Sequence, residues 1–387
     1  MGNDLTVCYT LATSAGGVGR HVRMLAAGLA ARGARVRVYG PAATEEAFGF
    51  TAAGAEFTAV EIADRPRPSA DLAAVRRLRR LLTGRGADRP SVVHAHGLRA
   101  GALTSLALGK RDGRLTDERP PLVVTLHNAP VTPGGGPGAG GRFAAVYGVL
   151  ERVVARRADR VLGVSPDLVD RMRDRGAASV GRALVPAPEL PLPAHGVAAV
   201  RAGLGAGDRP ILLTVARLAP QKGLGTLLDA SRTWAGRPVP PLVLIAGDGP
   251  LRAELAARVA DEGLPVRLLG DRSDVADLLS VADVVVVPSV WEGQPLIVQE
   301  ALRVGRPMVA TRVGGMPSMI GEGGLLVPAG DAAGLGHAVA EVLDDPELAG
   351  LLGAKALARG LTLPGEDDAV DHVCGVYADA ARVASGR

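Results

Sequence analysis

The stretch ADVVVVPSVWEGQPLIVQEA, residues 282–301, carries the clearest structural pattern in this chain. Val284 to Val287 are four β-branched residues in a row, which is typical of a strand buried on both faces of a parallel sheet. Pro288 and Ser289 end this strand. A loop then leads to Pro295, which suits the first turn of a helix because its missing N–H would have had no partner there. The stretch therefore predicts a strand, a loop and a helix of an α/β fold.

Two glutamates in this stretch stand where a ligand is expected. Glu292 follows the strand, and Glu300 lies on the predicted helix. In open α/β sheets ligands bind at the carboxyl ends of the strands, and a helix N-terminus there favours a phosphate. A carboxylate repels phosphate but accepts hydrogen bonds from vicinal hydroxyls. A nucleotide sugar, with a diphosphate between two hydroxyl-rich rings, meets both conditions.

The pattern EGxPxxxxEA at residues 292–301 resembles the signature of the family 4 retaining glycosyltransferases, glycosyl transferases group 1. That resemblance implies the GT-B fold, an α/β fold of two Rossmann-like, doubly wound parallel-sheet domains facing a central cleft. It implies that Glu292 contacts the donor sugar and Glu300 the ribose. The substrate-binding residues expected between them are Gly293, Gln294, Pro295 and Leu296.

A second motif supports the same resemblance. The predicted strand from Pro210 to Ala216 leads to Arg217 and Lys222, which match the family's RxxxxKG motif. Two cations at the end of a strand can neutralise the phosphates of a leaving nucleotide, and the family motif binds the diphosphate. Arg272 lies in the loop after the strand from Val266 to Leu269, where the family reads the base, so it is expected to contact the substrate.

The N-terminal half begins with a predicted strand from Leu5 to Leu11, a glycine loop and a helix. Gly16 and Gly17 lie in this loop, which lets the backbone come close to a ligand. The loop is not the GxGxxG dinucleotide fingerprint. It resembles the GG loop of the same transferases, which lies against the donor diphosphate or the acceptor.

Three histidines stand at the ends of predicted strands. His94 and His96 lie on the same side of one extended segment, and His127 follows an apolar run. The resemblance carries His127 to the histidine that faces the donor sugar near its reacting carbon. It also places His96 near the cleft, as a residue expected to bind the substrate. Two alternatives stay open, a purely structural role and a zinc site, although a fourth ligand at metal-binding spacing is missing.

With 387 residues the chain exceeds the size of a single core, which predicts two domains. Alternating strands and helices predict parallel sheets with helices on both faces. We expect an acceptor-side domain at residues 1–188 and a nucleotide-sugar domain at 189–364, with a proline-dense linker between them. The resemblance predicts that a helix at 365–387 crosses back to the first domain. Residues 128–141, NAPVTPGGGPGAGG, are expected to form either a lid over the acceptor or a disordered insert.

The formal charge of +4 suits anionic ligands, and no nucleic-acid motif is present. A predicted helix carries Arg76, Arg77, Arg79 and Arg80, which form either a weak peripheral contact with anionic membrane or a solvated basic face. The chain has two cysteines, Cys8 and Cys374, and no apolar run of membrane-spanning length. These features predict a reduced cytoplasmic protein, with or without peripheral membrane contact.

The resulting prediction is a retaining glycosyltransferase that moves a sugar from a nucleotide diphosphate sugar to a hydroxyl acceptor, with His127, Arg217, Lys222 and Glu292 as its catalytic residues. The acceptor class is open: a small natural product, a glycan or a lipid-linked sugar. No cofactor is expected, and no metal, because the sequence contains no Asp-x-Asp pair. The rivals are a non-catalytic nucleotide-sugar-binding partner subunit and a glycosidase using Glu292 and Glu300.

Overall fold

The chain forms two compact units. The computed structural model describes residues 5–14, 16–83, 89–109, 119–129 and 141–384. Among these residues the N-terminal unit comprises 5–14, 16–83, 89–109, 119–129, 141–186 and 364–384, and the C-terminal unit comprises 187–363. The chain passes from the first unit to the second between Pro186 and Ala187, inside the proline-dense segment.

The N-terminal unit is a parallel sheet with helices on both faces. In the described residues its seven strands follow the order β3-β2-β1-β4-β5-β6-β7. The strands are β1 (Thr6–Leu11), β2 (Arg35–Gly40), β3 (Glu56–Ala59), β4 (Val92–His96), β5 (Leu122–Leu126), β6 (Arg160–Gly163) and β7 (Val180–Arg182). Its helices are α1 (Gly17–Ala31), α2 (Ala42–Phe48), α3 (Pro68–Leu82), α4 (Leu98–Leu108), α5 (Gly141–Arg157), α6 (Pro166–Asp174) and, from the C-terminal end of the chain, α15 (Glu366–Ala384).

The C-terminal unit repeats this plan with six parallel strands in the order β10-β9-β8-β11-β12-β13. The strands are β8 (Ile211–Val215), β9 (Leu242–Ala246), β10 (Val266–Gly270), β11 (Val284–Val287), β12 (Met308–Thr311) and β13 (Gly324–Val327). The helices are α7 (Val197–Gly203), a 3₁₀ turn (Pro220–Lys222), α8 (Leu224–Ala235), α9 (Arg252–Asp261), α10 (Val275–Val281), α11 (Leu296–Arg303), α12 (Met316–Ile320), α13 (Ala332–Asp344) and α14 (Pro346–Gly360).

The core of the C-terminal unit explains the unbroken run of valines in β11. Val285 packs with Leu213 of β8 in the core on one face of the sheet, whereas Val284 packs with Leu212 in the core on the other face. Successive residues of a strand point to opposite faces, so a strand covered on both faces must be apolar at every position. The predicted class, two doubly wound parallel-sheet units, is confirmed.

Each sheet has one point at which the strand order reverses. This point lies between β1 and β4 in the N-terminal unit and between β8 and β11 in the C-terminal unit. Connections leave the two strands in opposite directions there, and the crevice outside their carboxyl ends is where doubly wound sheets bind ligands. Most candidate residues of each unit follow or occupy these strands, whereas His127 follows β5 and Arg272 follows β10.

Helix α15 packs on the N-terminal unit. The guanidinium of Arg32 on α1 forms an ion pair with Asp371 at 2.5 Å, and His372 Nε2 lies 2.9 Å from the carbonyl oxygen of Arg182. Val370 and Tyr377 are buried. None of the helices among the described residues combines the length and apolar character that crossing a bilayer requires.

Two short helices were not expected from the sequence. α2 buries one residue, Thr44, and the 7-residue α7 buries none of its side chains, so neither shows the apolar periodicity of an amphipathic helix. Of the glycine-rich segment at 128–141, residues 130–140 lie outside the described part of the chain, and Gly141 is the first residue of α5. The lid and insert interpretations of that segment both remain predictions.

Candidate active site

The two motifs of the C-terminal unit come together because β8 and β11 are neighbours in the sheet. Their strands pair in parallel, with Leu212 opposite Val284. The turn after β8 carries Lys222, and the turn after β11 carries Glu292. The Lys222 Nζ atom lies 2.6 Å from the Glu292 Oε1 atom, so these residues form an ion pair at the switch point of the sheet.

Glu292 is a buried carboxylate with partners on two sides. It is 5% exposed, and its Oε1 atom accepts a hydrogen bond of 2.6 Å from Ser289 Oγ in addition to the contact with Lys222. Its backbone oxygen accepts a hydrogen bond of 2.9 Å from the N–H of Gly315. A carboxylate this well enclosed needs such donors, because an unpaired buried charge is very costly.

The backbone around this ion pair leaves no room for larger residues. Gly314 has φ +47°, and a Cβ atom there would lie 2.0 Å from the backbone oxygen of Glu292. Gly223 has φ +60°, and a Cβ atom there would lie 2.0 Å from the backbone oxygen of Pro288. Both positions require glycine for conformation and for space. The turns that carry Lys222 and Glu292 are therefore held closely against their neighbours.

Hydrogen bonds join these two turns directly. The N–H of Val290 donates to the backbone oxygen of Gln221 at 2.8 Å, and Gln221 Nε2 donates to the backbone oxygen of Trp291 at 2.9 Å. The position of Lys222 relative to Glu292 is thus set by backbone contacts as well as by the ion pair itself.

The two arginines predicted for this site lie on exposed loops. Arg217 is exposed and belongs to the same turn after β8 as Lys222. Arg272 is also exposed, follows β10, and donates from Nε to Asp274 Oδ1 at 2.7 Å. Because β9 separates β10 from β8, Arg272 belongs to a different part of the sheet edge from Lys222.

The remaining predicted residues follow Glu292 along the chain. Gly293 is buried, and Gln294, Pro295 and Leu296 are half-buried. Pro295 caps α11, which begins at Leu296, one residue later than predicted. Glu300 lies about one turn into this helix and is half-buried.

In the N-terminal unit, His94 is fully occupied by hydrogen bonds. Its Nδ1 atom lies 2.8 Å from the Tyr377 hydroxyl of α15, and its Nε2 atom lies 2.7 Å from Thr125 Oγ1 on β5. The Tyr377 hydroxyl in turn donates to the Tyr9 hydroxyl at 3.0 Å. Both ring nitrogens of His94 therefore have hydrogen-bond partners, and neither is available to a ligand.

His96 and His127 are joined to each other. The Nδ1 atom of His96 lies 3.1 Å from the Nε2 atom of His127. His96 is 1% exposed, whereas His127 is half-buried. A fourth histidine, His21 of α1, packs edge-on against both rings with centroid distances of 5.6 and 5.5 Å.

Burial keeps these histidines neutral. It lowers the pKa of His127 to about 4 and the pKa of His94 to about 3. Burial first, and then neighbouring histidines, lower the pKa values of His96 and His21 well below the usual value. The cluster therefore offers neutral donors and acceptors at neutral pH rather than a positive charge.

The glycine loop leaves open space beside it. Gly16 precedes α1 and Gly17 is its first residue. A Cβ atom built on either glycine would meet no atom of the described residues within 4 Å. This loop therefore has room for the approach of a ligand.

The zinc interpretation gains no support from the described residues. Nowhere in the ranges that the structure describes do three or more His, Cys, Asp or Glu side chains form a group that could hold a metal ion. The reason at the histidine cluster is that His94 is bonded to Tyr377 and Thr125, and one nitrogen of His96 is bonded to His127.

Sequence reasoning missed three contributors to these sites: His21, Ser289 and Tyr377. His21 could have been noticed as a polar residue on the apolar side of α1, beside Val22 and one turn before Leu25. The sequence contains no comparable signal for Ser289, which ends a strand, or for Tyr377, which lies on a distant helix.

Solved structures define the class of the fold as GT-B. HepE from Anabaena, solved in complex with UDP, matches with a TM-score of 0.76 and 18% sequence identity, over 97% of this chain and 100% of that chain. This similarity shows the architecture, two Rossmann-like α/β units in one chain, as predicted.

Sequence comparisons show the family. Residues 16–188 match the model of the glycosyl transferase 4-like domain, and residues 209–345 match that of glycosyl transferases group 1. A 2-deoxystreptamine N-acetyl-D-glucosaminyltransferase from Streptomyces fradiae is 30% identical over 304 residues, 70% of this chain and 70% of that protein. An alpha-D-kanosaminyltransferase from Streptomyces kanamyceticus is 32% identical over 186 residues, 46% of this chain and 48% of that protein, so the chain spans about half the length of this relative. The chain belongs to the group 1 glycosyltransferases, the family that its motifs indicate.

Proposed function

We propose that this protein is a retaining glycosyltransferase that moves a sugar from a nucleotide diphosphate sugar to a hydroxyl acceptor. The observation that carries the proposal is the Lys222–Glu292 ion pair, which lies at the switch point of the second sheet in the same turn region as Arg217. This pair supports the proposal because a lysine that can bind a diphosphate lies beside a carboxylate that can accept hydrogen bonds from a sugar. Membership of the group 1 glycosyltransferases supports this proposal.

In this proposal the C-terminal unit stabilises the leaving group. Arg217 and Lys222 take the negative charge that builds on the diphosphate, and the free N–H groups at the start of α11 assist them. Glu292 accepts hydrogen bonds from the donor sugar, and Glu300 from the ribose. Gly293, Gln294, Pro295 and Leu296 line the path between these glutamates, and Arg272 stands in the base-reading loop.

The N-terminal unit supplies groups near the reacting carbon and the acceptor. His127 faces the donor sugar, and Gly16 and Gly17 provide room for the diphosphate or the acceptor. Because burial lowers the pKa of His127 to about 4, its ring acts as a neutral hydrogen-bonding group and not as an acid at neutral pH. We assign no nucleophile. The acceptor hydroxyl attacks on the face of the leaving group, and a phosphate oxygen takes its proton, which retains the anomeric configuration.

The proposal includes no cofactor and no metal. Its basis is the sequence, which has no Asp-x-Asp pair to bridge a metal to the diphosphate. Transfer should continue in excess chelator. Loss of activity in chelator with rescue by manganese or magnesium would contradict this part of the proposal.

The test begins with a panel of nucleotide diphosphates and their sugars, read by thermal shift, with UDP included because HepE was solved with it. Stabilising donors are then incubated with hydroxyl acceptors. 2-Deoxystreptamine belongs in that set because a relative is named for it. Mass spectrometry detects the product, and NMR reads its anomeric configuration.

Variants make this test specific. Lys222→Ala should lower kcat/KM by about 30-fold to 1000-fold, or about 2–4 kcal/mol. The matched control is Lys355→Ala, because Lys355 forms a surface ion pair with Glu322 at 3.2 Å and has no part in the proposed site. Equal activity of the two variants would contradict the proposed site. Donor binding with no transfer or hydrolysis would favour a non-catalytic binding subunit, and release of sugar from a simple glycoside without nucleotide would favour a glycosidase.

We also propose a weak contact between α3 and an anionic membrane. Arg76, Arg77 and Arg80 are exposed on this helix; Arg79 is exposed as well, but it donates to the backbone oxygen of Ala107 at 3.0 Å. Sedimentation with anionic vesicles should fall when the first three are changed to glutamine. Absence of binding by the wild-type protein would remove the idea.

A cytoplasmic location remains part of the proposal. It is based on two buried free thiols, Cys8 and Cys374, which suit a reducing compartment. Localisation of a tagged protein by cell fractionation would test it.

A further inference from the structure

Three residues of the histidine cluster, His21, His94 and His96, have no role in the proposed function. His96 is 1% exposed, so it is shielded from any ligand in solution, yet it is hydrogen-bonded to His127, which is half-buried. Its second ring nitrogen, Nε2, is enclosed and has no hydrogen-bond partner among the residues that the structure describes.

We propose that His96 is the positioning residue for His127. It donates its Nδ1–H to His127 Nε2, holds that ring in place, and fixes the His127 proton on Nδ1. The Nδ1–H of His127 is then the donor available to a hydroxyl oxygen of the donor sugar. This inference rests on the proposed function for the identity of the ligand, but the tautomer itself does not depend on it.

The tautomer follows from the charge of the His96 and His127 rings and from the surroundings of His96 Nε2. Burial lowers the pKa values of both residues, so both rings are neutral at neutral pH and the bond between them contains one proton. If His127 donated that proton from Nε2, the only N–H of His96 would be at Nε2, buried without an acceptor among the described residues. If His96 donates, its Nε2 is instead a bare lone pair. Buried N–H groups without a partner are rarer in proteins than under-satisfied acceptors, which favours donation by His96.

The neighbouring groups that the structure describes offer His96 no other hydrogen-bond partner. The ring centroid of His94 lies 4.2 Å from that of His96, but both nitrogens of His94 are already bonded, to Tyr377 and Thr125. His21 presents its ring edge-on at an interplanar angle of 66°. Packing on several sides fixes the orientation of the His96 ring, and so the direction in which its Nδ1 points.

This tautomer sets the direction of the hydrogen bond that His127 can form with a substrate. A histidine protonated on Nδ1 donates from that nitrogen and cannot accept a proton there. His127 thus binds a sugar hydroxyl through the oxygen lone pair and takes no part as a base at that nitrogen. Its orientation depends on a residue that touches no substrate.

The tautomer can be measured without any activity. The chain has seven histidines, so protein with ¹⁵N-labelled histidine gives a tractable set of long-range ¹H–¹⁵N correlations at pH 7.5. The His127 signals are assigned from their loss in His127→Gln. We expect His127 to be protonated on Nδ1. Protonation on Nε2 in the wild-type protein would overturn the proposal.

Two substitutions at His96 separate positioning from packing. In His96→Asn the amide nitrogen, bonded to Cγ as Nδ1 is, can still donate to His127 Nε2, whereas His96→Phe fills the space without a donor. We expect kcat within about threefold of wild type for Asn and about 30-fold lower for Phe, with the donor KM changed by less than about threefold. His337→Asn, an exposed position on α13, is the matched control.

Stability distinguishes positioning from a merely structural role. The Phe variant removes an unpartnered polar atom, so its unfolding temperature should equal or exceed that of wild type while kcat falls. Wild-type kcat in the Phe variant, or equal losses in both variants, would overturn the proposal. If wild-type protein transfers no sugar at all, the proposed function fails, and the NMR measurement still decides the tautomer.

Discussion

The ion pair between Lys222 and Glu292 predicts a large loss of stability when the cation alone is removed. The Lys222→Met variant leaves Glu292, which is 5% exposed, with the hydroxyl of Ser289 as its remaining side-chain donor among the contacts described above. Removing one partner of a buried pair costs about 3–5 kcal/mol. Because the Lys222 side chain is 24% exposed and Ser289 still donates, we expect a smaller loss than this range, about 2–3 kcal/mol.

A second substitution tests whether the uncompensated charge of Glu292 causes this loss of stability. Glu292→Gln in the Lys222→Met background removes the uncompensated charge but keeps an amide oxygen that can accept from Ser289. The double variant should regain about 2 kcal/mol relative to Lys222→Met, as a coupled pair does in a double-mutant cycle. For a unit of this size, 2–3 kcal/mol corresponds to a fall of about 5–10 °C in unfolding temperature, which calorimetry without nucleotide resolves.

The control variant breaks an ion pair that is exposed to solvent. Lys355→Met breaks a pair in which the side chains of Lys355 and Glu322 are 40% and 81% exposed, so it should cost less than about 0.5 kcal/mol. Unfolding of Lys222→Met within about 1 °C of wild type would refute the argument. So would a double variant no more stable than Lys222→Met, because the two charges would then not be coupled.

Three further predictions concern transfer, pH and backbone space. Arg217→Ala should lower kcat/KM by about 30-fold to 1000-fold, or about 2–4 kcal/mol, with unchanged stability because the residue is exposed; a tenfold effect or less would mean that the diphosphate is held elsewhere. The pKa values of His94 and His127 are lowered to about 3 and about 4, so the unfolded chain binds more protons below about pH 6.5. Stability is therefore full above that pH and should fall by about 1.4 kcal/mol per pH unit for each ring as pH falls towards 4, measured by urea unfolding at pH 7 and pH 5; an unchanged midpoint would contradict this. Gly314→Ala must displace the backbone of Glu292, so it should cost about 2–3 kcal/mol and most of the activity, and near-normal kinetics would show that the loop can yield.

Local patterns in the sequence were sufficient to predict the elements of the C-terminal site. Four valines before Pro288 predicted β11, and the predicted strand from Pro210 to Ala216 placed Arg217 and Lys222 in the turn that follows it. These predictions succeed because a strand covered on both faces must be apolar throughout, and because residues after parallel strands meet at one edge. The adjacency of β8 and β11 has no such local signal. Strand order depends on which connections cross the sheet, so it was available from the family resemblance alone.

Local sequence patterns could not predict the hydrogen-bond partners of the site residues. Ser289 was interpreted as the end of a strand, and it also donates to Glu292 at 2.6 Å. That role depends on how the turn bends back within three residues, which neither periodicity nor composition records. Helix α2 was missed for a related reason, since a 7-residue helix with one buried side chain has too few apolar positions to show a period.

The two histidines of β4 show how far identical residues can diverge in role. His94 and His96 were predicted to share one side of the strand, and their rings lie 4.2 Å apart. What separates them is the number of hydrogen bonds left to each. Tyr377, which follows His94 by 283 positions in the chain, and Thr125 occupy both nitrogens of His94, so that residue can only stabilise the fold. One nitrogen of His96 is hydrogen-bonded to His127, so His96 can hold the His127 ring in place. A role decided by partners so distant in the sequence follows from the packing of α15 on the first sheet.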